Sequence, residues 1–192
     1  MGTIVITTNV SLDGVVQDPD GREGFARGGW FPAPDSTDFQ AWAELETREA
    51  LGADAMLLGR RSDEWFAPRW NSRTGVWADK LNSLPKHVVS STTEPPQWIN
   101  ATVLKGDAVS EIAALKRSVE GEIIVYASYE LVRTLIEHDL ADEFRLVVFP
   151  VVLGDGKRLF DRTTVAKSLR LIETRQIGDG LVYYAYEFLR DA

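Results

Sequence analysis

The sequence predicts an α/β fold in three layers, with a mostly parallel central sheet, helices on both faces and a C-terminal antiparallel hairpin. Short apolar runs rich in β-branched residues alternate with segments of helical periodicity, which is typical of repeated strand–helix–strand units. The last two apolar segments instead flank a glycine turn at 178–180 and predict an antiparallel pair. No repeat, low-complexity tract or linker interrupts the 192 residues, so we expect a single domain over 1–192.

Composition excludes several classes of function. The formal net charge of −8 argues against broad binding to nucleic acid or to an anionic membrane, because both need a basic surface. The chain has no cysteine and only two histidines, far apart in sequence, so a metal site and a Ser-His-Asp triad are not expected. The N-terminus lacks the features of a signal peptide, and the longest apolar run is only eight residues long. We therefore expect a cytoplasmic protein without a membrane span.

Local patterns predict the individual elements. Strands are expected where apolar and β-branched residues run together, and helices where apolar residues recur every three or four positions after a capping residue. Asp35 or Ser36 is expected to cap the first helix, and Asp107 and Ser128 two later ones. In chain order the elements are a strand at 3–8, a loop at 17–34, a helix at 35–51, a strand at 53–58, a short helix from 62, helical turns at 77–84, strands at 86–90 and 102–104, a helix at 107–119, a strand at 122–126, a helix at 129–138, a strand at 144–151, and hairpin strands at 168–174 and 181–189.

The stretch from 53 to 66 combines a buried strand, a glycine turn and the start of a helix. Gly59 ends the apolar run, and Ser62 is expected to cap the helix that follows. Free N–H groups at a helix start, a position without a Cβ, and the charges of Arg60 and Arg61 together are typical of an anion site. A plain strand–turn–helix with two solvated arginines has the same pattern, so this motif alone leaves both interpretations open.

Two further strand ends carry groups that suit phosphate. Ser90, Ser91 and Thr92 follow one strand, and Tyr126-Ala127-Ser128 leads from another strand into a helix. Ligands of open α/β sheets bind outside the carboxyl ends of the strands. A hydroxyl after a strand is usually only a turn or a cap. Three such junctions in succession nevertheless predict a site for a ligand with several phosphates, such as a dinucleotide.

Six short motifs occur in a characteristic order over nearly the whole chain. They are Ser11-Leu12-Asp13-Gly14, Leu58-Gly59-Arg60-Arg61, Val89-Ser90-Ser91, Glu130-Leu131-Val132-Arg133-Thr134-Leu135, Asp142-Glu143-Phe144-Arg145-Leu146, and Pro150-Val151-Val152-Leu153-Gly154-Asp155-Gly156. In this order they resemble the dihydrofolate reductase superfamily. The resemblance is to the branch that includes the reductase domain of bacterial riboflavin-biosynthesis proteins, the RibD C-terminal domain.

This resemblance implies an NADPH-dependent reductase with a dihydrofolate reductase-like fold. By resemblance, the turn at 59–62 holds the pyrophosphate side of the cofactor, and Ser90 and Ser91 meet the adenosine ribose or its 2′-phosphate. The segment 126–128 lies along the pyrophosphate and the nicotinamide ribose. The family usually has glycine where this chain has Ala127, and often where it has Tyr129. No arginine stands near the 90–92 turn, so NADH remains an alternative cofactor. The implied cofactor-binding residues are Gly59, Arg60, Arg61, Ser62, Ser90, Ser91, Tyr126, Ala127 and Ser128.

Reduction of this kind often needs an acid close to the nicotinamide. The resemblance makes Asp13 the first candidate, although an Asp-Gly pair is also an ordinary turn. Asp38, on the first turn of the first helix, is the second candidate because folate-reducing relatives carry their substrate carboxylate near there. Its alternative role is to complement the helix dipole.

Candidate substrate contacts lie in three regions. Trp30, in the long loop, and Trp65, beside the arginine turn, are candidates to stack on a flat heterocycle, or are core anchors. Gly154 and Lys157 belong to a second glycine loop that suits an anionic substrate tail, unless Lys157 and Arg158 are simply solvated. The implied substrate is a small pterin- or pyrimidine-like heterocycle, most closely 5-amino-6-(5-phosphoribosylamino)uracil.

Two other functions stay open at this stage. One is a dihydrofolate reductase-like enzyme acting on folate or another substrate, and the other is a nucleotide-binding protein without turnover. The apolar strand at 144–153 and the terminal hairpin are candidates to pair across a homodimer.

Overall fold

The structure is a computed structural model that describes residues 1–92, 94–160 and 166–190. Within these residues the chain forms eight strands and five helices. In chain order they are β1 (Thr3–Ser11), α1 (Thr37–Gly52), β2 (Ala53–Gly59), α2 (Arg60–Trp70), α3 (Val76–Ser83), β3 (Lys86–Val89), β4 (Ala101–Leu104), α4 (Ala108–Ser118), β5 (Glu122–Tyr126), α5 (Tyr129–Glu137), β6 (Glu143–Phe149), β7 (Leu169–Ile177) and β8 (Leu181–Phe188).

The strands form one sheet in the order β4-β3-β2-β5-β1-β6-β8-β7. The pairs β3–β4, β2–β3, β2–β5 and β1–β5 are parallel. The terminal pair β7–β8 is antiparallel, closed by a turn after Ile177. These findings confirm the predicted α/β class, with its mostly parallel sheet and C-terminal hairpin. None of the helices in the described part of the chain is long and apolar enough to cross a membrane.

The chain forms two compact units, each built from two separated segments. The first unit contains Met1–Thr7 and Glu46–Glu143, and the second contains Thr8–Leu45 and Phe144–Ala192. Neither unit is continuous in sequence, so no single boundary divides the chain. The prediction of one domain over residues 1–192 stays a prediction.

The core of the first unit explains why β2 reads as an almost continuous apolar run. Met56 and Leu58 are completely buried and pack in one cluster with side chains from α2, α3 and β3. A strand covered on both faces has no exposed side on which polar residues could alternate. Each fully buried large aliphatic side chain stabilises the fold by about 1.5–3 kcal/mol. The cluster comprises Ala50, Ala53, Met56, Leu58, Ala67, Leu81, Leu84, Val88, Trp98 and Ile124.

The second unit contains a cluster of packed aromatic rings. Phe31 stacks on Phe149 at 5.1 Å between ring centroids and lies 4.9 Å from the ring of Trp42. Trp30 meets Phe149 edge-on at 5.2 Å. The loop that precedes α1 is therefore anchored by its own rings.

Three local predictions need correction. Ser62 does not cap α2, because the helix already begins at Arg60 and Ser62 lies buried in its first turn. The same helix continues through Pro68 to Trp70, since Ala67 and Trp70 pack on the core and support the last turn. Ser128 is the N-cap of α5, but its hydroxyl makes no capping hydrogen bond. Two predicted caps are confirmed: Ser36 Oγ accepts the N–H of Phe39, and Asp107 accepts the N–H of Ser110.

Candidate functional site

The carboxyl ends of three neighbouring strands line one edge of the first unit. β3, β2 and β5 are adjacent and parallel, so they all end on the same side of the sheet. Gly59 is the last residue of β2, and α2 begins directly after it. Tyr126 ends β5, and α5 begins three residues later. The predicted junctions at 59–62, 90–92 and 126–128 are therefore brought together.

Ser128 joins two of these junctions. Its Oγ accepts the N–H of Gly59 at 3.0 Å and donates to Ser62 Oγ at 2.8 Å. Ser128 is the N-cap of α5, and Ser62 lies in the first turn of α2. Neither helix start uses a side-chain cap. The N-terminal ends of two helices, with their partial positive charges, therefore lie side by side.

The backbone before α5 is held in an unusual conformation. Ala127 and Ser128 have φ values of 49° and 59°, in the left-handed region that favours glycine. Each non-glycine residue there costs roughly 1–2 kcal/mol. Ala127 thus holds a conformation that favours glycine. Consecutive strained residues are typical of ligand sites, where their geometry has a use.

Gly59 has no conformational need to be glycine. Its φ of −80° and ψ of 157° are available to any residue. A Cβ at this position would meet only Ser128, at 3.8 Å, which is an ordinary contact. The internal packing of the protein therefore does not require glycine here, whereas close approach of a ligand to the backbone would.

The two arginines after Gly59 have different environments. The guanidinium of Arg60 donates to Ser90 Oγ and to the carbonyl oxygens of Glu94 and Pro95, at 3.0, 2.6 and 3.1 Å. Arg61 is exposed and makes no hydrogen bond or ion pair with any residue that the structure describes. Arg61 is therefore the cation available to a ligand at this helix start.

The hydroxyl turn after β3 is ordered by its own contacts. Ser90 Oγ accepts the N–H of Thr92 at 3.1 Å and lies 3.2 Å from Thr92 Oγ1. Ser91 and Thr92 are exposed. The turn therefore presents hydroxyl and N–H groups to solvent beside α2.

Two buried charged residues of the first unit were missed from the sequence. Asp63 is fully buried in α2, and its carboxylate accepts the N–H groups of Gln97 and Trp98 at 2.7 and 3.0 Å. Lys86, only 1% exposed, donates to the carbonyl oxygens of Asn82 and Leu84. Burial lowers the pKa of Lys86 to about 8, although the nearby charge of Asp63 opposes this shift. The only sequence signal was a lysine at the start of an apolar strand.

In the second unit, Asp13 is bound to the glycine loop, and its expected role of proton donor stays a prediction. Its oxygens accept the N–H groups of Leu153 and Gly154 at 3.0 and 2.7 Å, and the hydroxyl of Ser11 at 2.8 Å. These hydrogen bonds, led by that from Leu153, hold the pKa of Asp13 far below its ordinary value. Arg158 adds an ion pair at 3.5 Å. Such hydrogen bonds favour the ionised form of the carboxylate, which orders the glycine loop.

Asp38 is also tied to structure. Its Oδ1 accepts the N–H groups of Asp179 and Gly180 in the turn of the β7–β8 hairpin. A Cβ at Gly178 would lie 2.3 Å from the same oxygen, so the turn packs tightly on this carboxylate. The hydrogen bonds use only Oδ1, and a catalytic role for Asp38 stays a prediction.

The predicted substrate contacts lie in different surroundings. Trp30 donates from Nε1 to the carbonyl oxygen of Gln17 and packs in the aromatic core of the second unit, as the core-anchor alternative expects. Trp65 lies half-buried on α2 in the first unit, under the guanidinium of Arg69 at 4.0 Å. Gly154 and Lys157 are exposed in the second unit. Their roles toward a substrate stay predictions.

The same glycine loop carries further positive charge. Arg27 donates from Nη1 to the carbonyl oxygen of Leu153, and Arg158 pairs with Asp13. The third cation of the loop, Lys157, is exposed, and its side chain makes no hydrogen bond or ion pair with any residue that the structure describes. Within the same residues, no group of three or more His, Asp or Glu side chains is arranged to hold a metal ion.

A comparison with known protein families identifies the family of this chain. The family model of the RibD C-terminal domain matches residues 2–183. The chain belongs to the RibD C-terminal domain family. This match spans nearly the whole sequence, so it includes the strand ends of the first unit and the glycine loop of the second.

The chain is similar to two uncharacterized proteins of Bacillus subtilis. YyaP is 29% identical over 96% of this chain and 94% of its own length. YwjB is 33% identical over 92% of this chain and 93% of its own length.

Solved structures support the fold. A putative riboflavin biosynthesis protein from Shewanella sp. PV-4 has a TM-score of 0.73 at 24% identity, covering 98% of this chain and 99% of its own. Dihydrofolate reductase from Enterococcus faecalis, solved with NADP(H), has a TM-score of 0.59 at 13% identity, covering 97% of this chain and 96% of its own. The expected dihydrofolate reductase-like fold of this RibD C-terminal domain is confirmed.

Proposed function

We propose that the protein is an NAD(P)H-dependent reductase of a small pterin- or pyrimidine-like heterocycle. The observation that carries this proposal is the hydroxyl of Ser128, which joins the starts of α2 and α5 at neighbouring strand ends. A pyrophosphate fits such a site because two helix N-termini face it and Gly59 admits close approach to the backbone. The enzyme from Enterococcus faecalis with this fold was solved with NADP(H), which supports a nicotinamide cofactor here.

The electrostatics of the first unit suit this ligand in spite of the net charge of −8. Each helix start stabilises a nearby negative charge by roughly 0.3–1 kcal/mol. Arg61 contributes a positive charge that no protein group described here neutralises. The attraction is therefore local, as it must be in an acidic protein.

We assign the binding roles as follows. Gly59, Ser62, Ala127 and Ser128 form the pyrophosphate site, with Tyr126 beside it at the end of β5. Ser90 and Ser91 meet the adenosine end, and Arg61 contacts a phosphate. A nicotinamide cofactor held by these residues would supply the hydride, while the protein would orient the reactants and exclude water.

The substrate proposal rests on the family and on the second unit. A bifunctional protein of Thermotoga maritima with this fold is named as a 5-amino-6-(5-phosphoribosylamino)uracil reductase, and its similarity to this chain is 12% identity at a TM-score of 0.63. We propose a heterocycle of that class. Trp30 and Trp65 are candidates for stacking, and the loop of Gly154 and Lys157 for an anionic tail. Asp13 and Asp38 are the candidate proton sources, and Asp13 also orders the loop.

Titration of the purified protein with NADPH and with NADH tests the proposal. Binding should change the tryptophan fluorescence and raise the melting temperature, because a ligand at about 100 times its dissociation constant stabilises the folded state by roughly 2.7 kcal/mol. Absorbance at 340 nm then follows cofactor oxidation with the candidate heterocycle. If neither cofactor shifts the melting curve, the reductase proposal is wrong.

One observation favours a second candidate, a nucleotide-binding protein without turnover. The carboxylate first expected to supply a proton, Asp13, is held ionised by backbone N–H groups. In that case NADPH binds with the expected stabilisation, but no member of the heterocycle class is reduced.

We also propose that two copies associate through β7. This strand ends the sheet order, so one of its edges pairs with no strand in the described chain. Leu169, Leu171 and Ile172 are 39, 49 and 55% exposed on it. Antiparallel pairing of this edge with its copy would satisfy the unpaired backbone groups of β7 and reduce the exposure of these apolar residues.

A further inference from the structure

The sequence contains four Asp-Gly pairs, at 13–14, 20–21, 155–156 and 179–180. In such a pair the backbone nitrogen of the glycine can attack the aspartyl side chain, because glycine has no Cβ to hinder it. The product is a cyclic succinimide, which water opens to aspartate or to isoaspartate, in which the main chain runs through the side chain. The four pairs are alike in sequence, so the fold must decide which of them reacts.

In three of these pairs the glycine N–H donates to an acceptor outside the pair. The acceptors are the carbonyl oxygens of Ser11 and Asp18 and the Oδ1 of Asp38, for Gly14, Gly21 and Gly180 respectively, at 3.0, 3.1 and 3.0 Å. Each bond directs the N–H away from the aspartate that precedes it. Attack on that aspartate would first have to break the hydrogen bond, at a cost of about 1 kcal/mol or more.

The pair at 155–156 is arranged differently. The N–H of Gly156 donates to Oδ1 of Asp155 at 2.8 Å, so it meets the side chain that it would attack. This contact places the nitrogen beside Cγ, the carbon to which Oδ1 is bonded. Asp155 is exposed, so water reaches it. Groups that are already adjacent avoid most of the entropic cost of meeting.

Asp13 shows the opposite arrangement. Its two oxygens accept the N–H groups of Leu153 and Gly154, which fixes the carboxyl group on the glycine loop. Asp13 and Asp155 therefore lie in the same region of the second unit, yet only Asp155 contacts the nitrogen of its own glycine.

We propose that Asp155 is a modification site, at which the folded protein forms a succinimide and then isoaspartate. The carboxyl group reacts in its protonated form. A bond forms between the nitrogen of Gly156 and Cγ of Asp155, and one carboxyl oxygen leaves Cγ with the amide proton as water. A second water then adds to one ring carbonyl and breaks its bond to the ring nitrogen. Opening at Cγ restores aspartate, and opening at the main-chain carbonyl gives isoaspartate.

Isoaspartate lengthens the main chain by one carbon at a tightly packed point. A Cβ at Gly156 would lie only 2.8 Å from the side chain of Val15. The next residue, Lys157, donates its N–H to Gln17 Oε1 at 3.0 Å and accepts the N–H of Val16 at 2.9 Å. The added carbon shifts Lys157 relative to both partners. Modification therefore releases the glycine loop from the segment that follows β1.

Ageing of the purified protein at physiological temperature for several weeks tests the site. Transfer of labelled methyl groups by an isoaspartyl methyltransferase measures isoaspartate, and peptide mapping assigns it to one of the four pairs. Residue 155 should carry about tenfold more isoaspartate than residue 13, 20 or 179. In guanidinium chloride the four pairs should be labelled to a similar extent, since only the fold distinguishes them. Equal labelling of the four pairs in the folded protein overturns the proposal.

Asp155→Glu and Asp179→Glu are matched variants for the same measurement. Glutamate keeps the charge, but its attack would close a larger ring, which forms much more slowly. Asp155→Glu should therefore remove most of the methyl labelling, whereas Asp179→Glu should leave it unchanged. If Asp155→Glu kept the labelling of the wild type, residue 155 would not be the site.

Hydrogen exchange tests the effect of the modification on the loop. The isoaspartyl fraction is separated by ion-exchange chromatography, and its exchange is compared with that of the unchanged fraction. The amide of Lys157 should exchange about tenfold faster in the isoaspartyl fraction, and the amide of the buried Ile124 should exchange equally in both. Equal exchange at Lys157 overturns the release of the loop. These outcomes are independent of cofactor binding, so they do not depend on the proposed function.

Discussion

Ser128 Oγ lies 2.8 Å from Ser62 Oγ, and this hydrogen bond connects the N-cap of α5 to the first turn of α2. The same oxygen accepts the N–H of Gly59, so both strand ends are fixed to each other through one hydroxyl. Ser62 and Ser128 are both buried. A pair of helix starts held in this way is ready for an anion without rearrangement.

Gly59→Ala separates a ligand role from a folding role. The backbone of Gly59 suits any residue and the new methyl group meets Ser128 at 3.8 Å, so the free energy of unfolding should stay equal or rise by up to about 1 kcal/mol. The dissociation constant for NADPH, measured by fluorescence titration, should rise by about tenfold or more. Gly52→Ala at the end of α1, where nothing lies within 4 Å of the added carbon, is the control. If Gly59→Ala bound NADPH as tightly as the wild type, the proposal that a phosphate closely approaches the backbone at this position would be wrong.

Ala127→Gly should stabilise the protein. The left-handed backbone at Ala127 costs alanine roughly 1–2 kcal/mol, and glycine removes this cost. Part of the gain, about 0.5–1 kcal/mol, is lost because glycine gives the unfolded chain more conformational freedom. Urea unfolding should therefore show a net gain of up to about 1 kcal/mol. Ala113→Gly, the same change inside α4, should instead cost about 1 kcal/mol. Equal losses of stability in Ala127→Gly and Ala113→Gly would contradict the left-handed backbone conformation at residue 127.

The buried lysine of β3 predicts an alkaline rise in stability. The folded state lowers the pKa of Lys86 from 10.5 to about 8, so the unfolded chain binds more protons between these values. The cost of burying the charge is complete below pH 8 and disappears as the pH rises to 10.5. Relative to Lys86→Met, the wild type should gain up to about 3 kcal/mol across this window. If chemical denaturation gave free energies of unfolding that changed with pH by the same amount in the two proteins, Lys86 would stay charged across this window.

Asp13→Asn tests the carboxylate of the second unit. Because its pKa is depressed in the folded state, Asp13 contributes stability above its ordinary value of 3.8, and this contribution is lost as the pH falls further. Asp13→Asn should therefore melt lower than the wild type at pH 7, and the difference should narrow in acid. Asp35→Asn, an exposed carboxyl before α1, is the control. If Asp13→Asn kept its melting temperature and lost turnover, Asp13 would be a proton donor after all.

Ile172→Lys tests the association through β7. A lysine on an exposed strand edge opposes edge-to-edge pairing, because its charge must be desolvated. Light scattering should therefore give the mass of a dimer for the wild type and of a monomer for this variant. Val76→Lys changes an equally exposed apolar residue on α3 and should stay dimeric. A monomeric wild type would contradict the proposed association.

The elements could be predicted from sequence because their signals are local. The strand over 122–126 was predicted at its observed bounds, and the caps at Ser36 and Asp107 follow from side chains within three residues of the helix starts. The start of α2 was placed two residues late, because Ser62 was read as a cap although its hydroxyl bonds to Ser128, 66 residues away. The helix is also longer than the short one predicted and runs through Pro68 to Trp70, since tertiary packing outweighs one missing hydrogen bond.

The position of the candidate site could be predicted from the sequence, but the roles of its individual residues could not. Arg60 and Arg61 are adjacent and look alike in sequence. In the structure, Arg60 donates a hydrogen bond to Ser90 in the loop after β3, whereas Arg61 is exposed. Asp13 and Asp38 are both held by backbone partners about 140 residues away in the chain, which the sequence did not reveal. Partners at such separations leave no local pattern from which they could be inferred.

The sequence by itself determined the α/β class, the order of the strands along the chain, the family, and the three strand ends that suit phosphate. Tertiary structure alone decided which groups at those ends are already used: the hydroxyl of Ser128, the guanidinium of Arg60 and the carboxylate of Asp13. The physical reason is that periodicity and turn chemistry act over a few residues, whereas hydrogen bonding and burial depend on which distant segments the fold brings into contact.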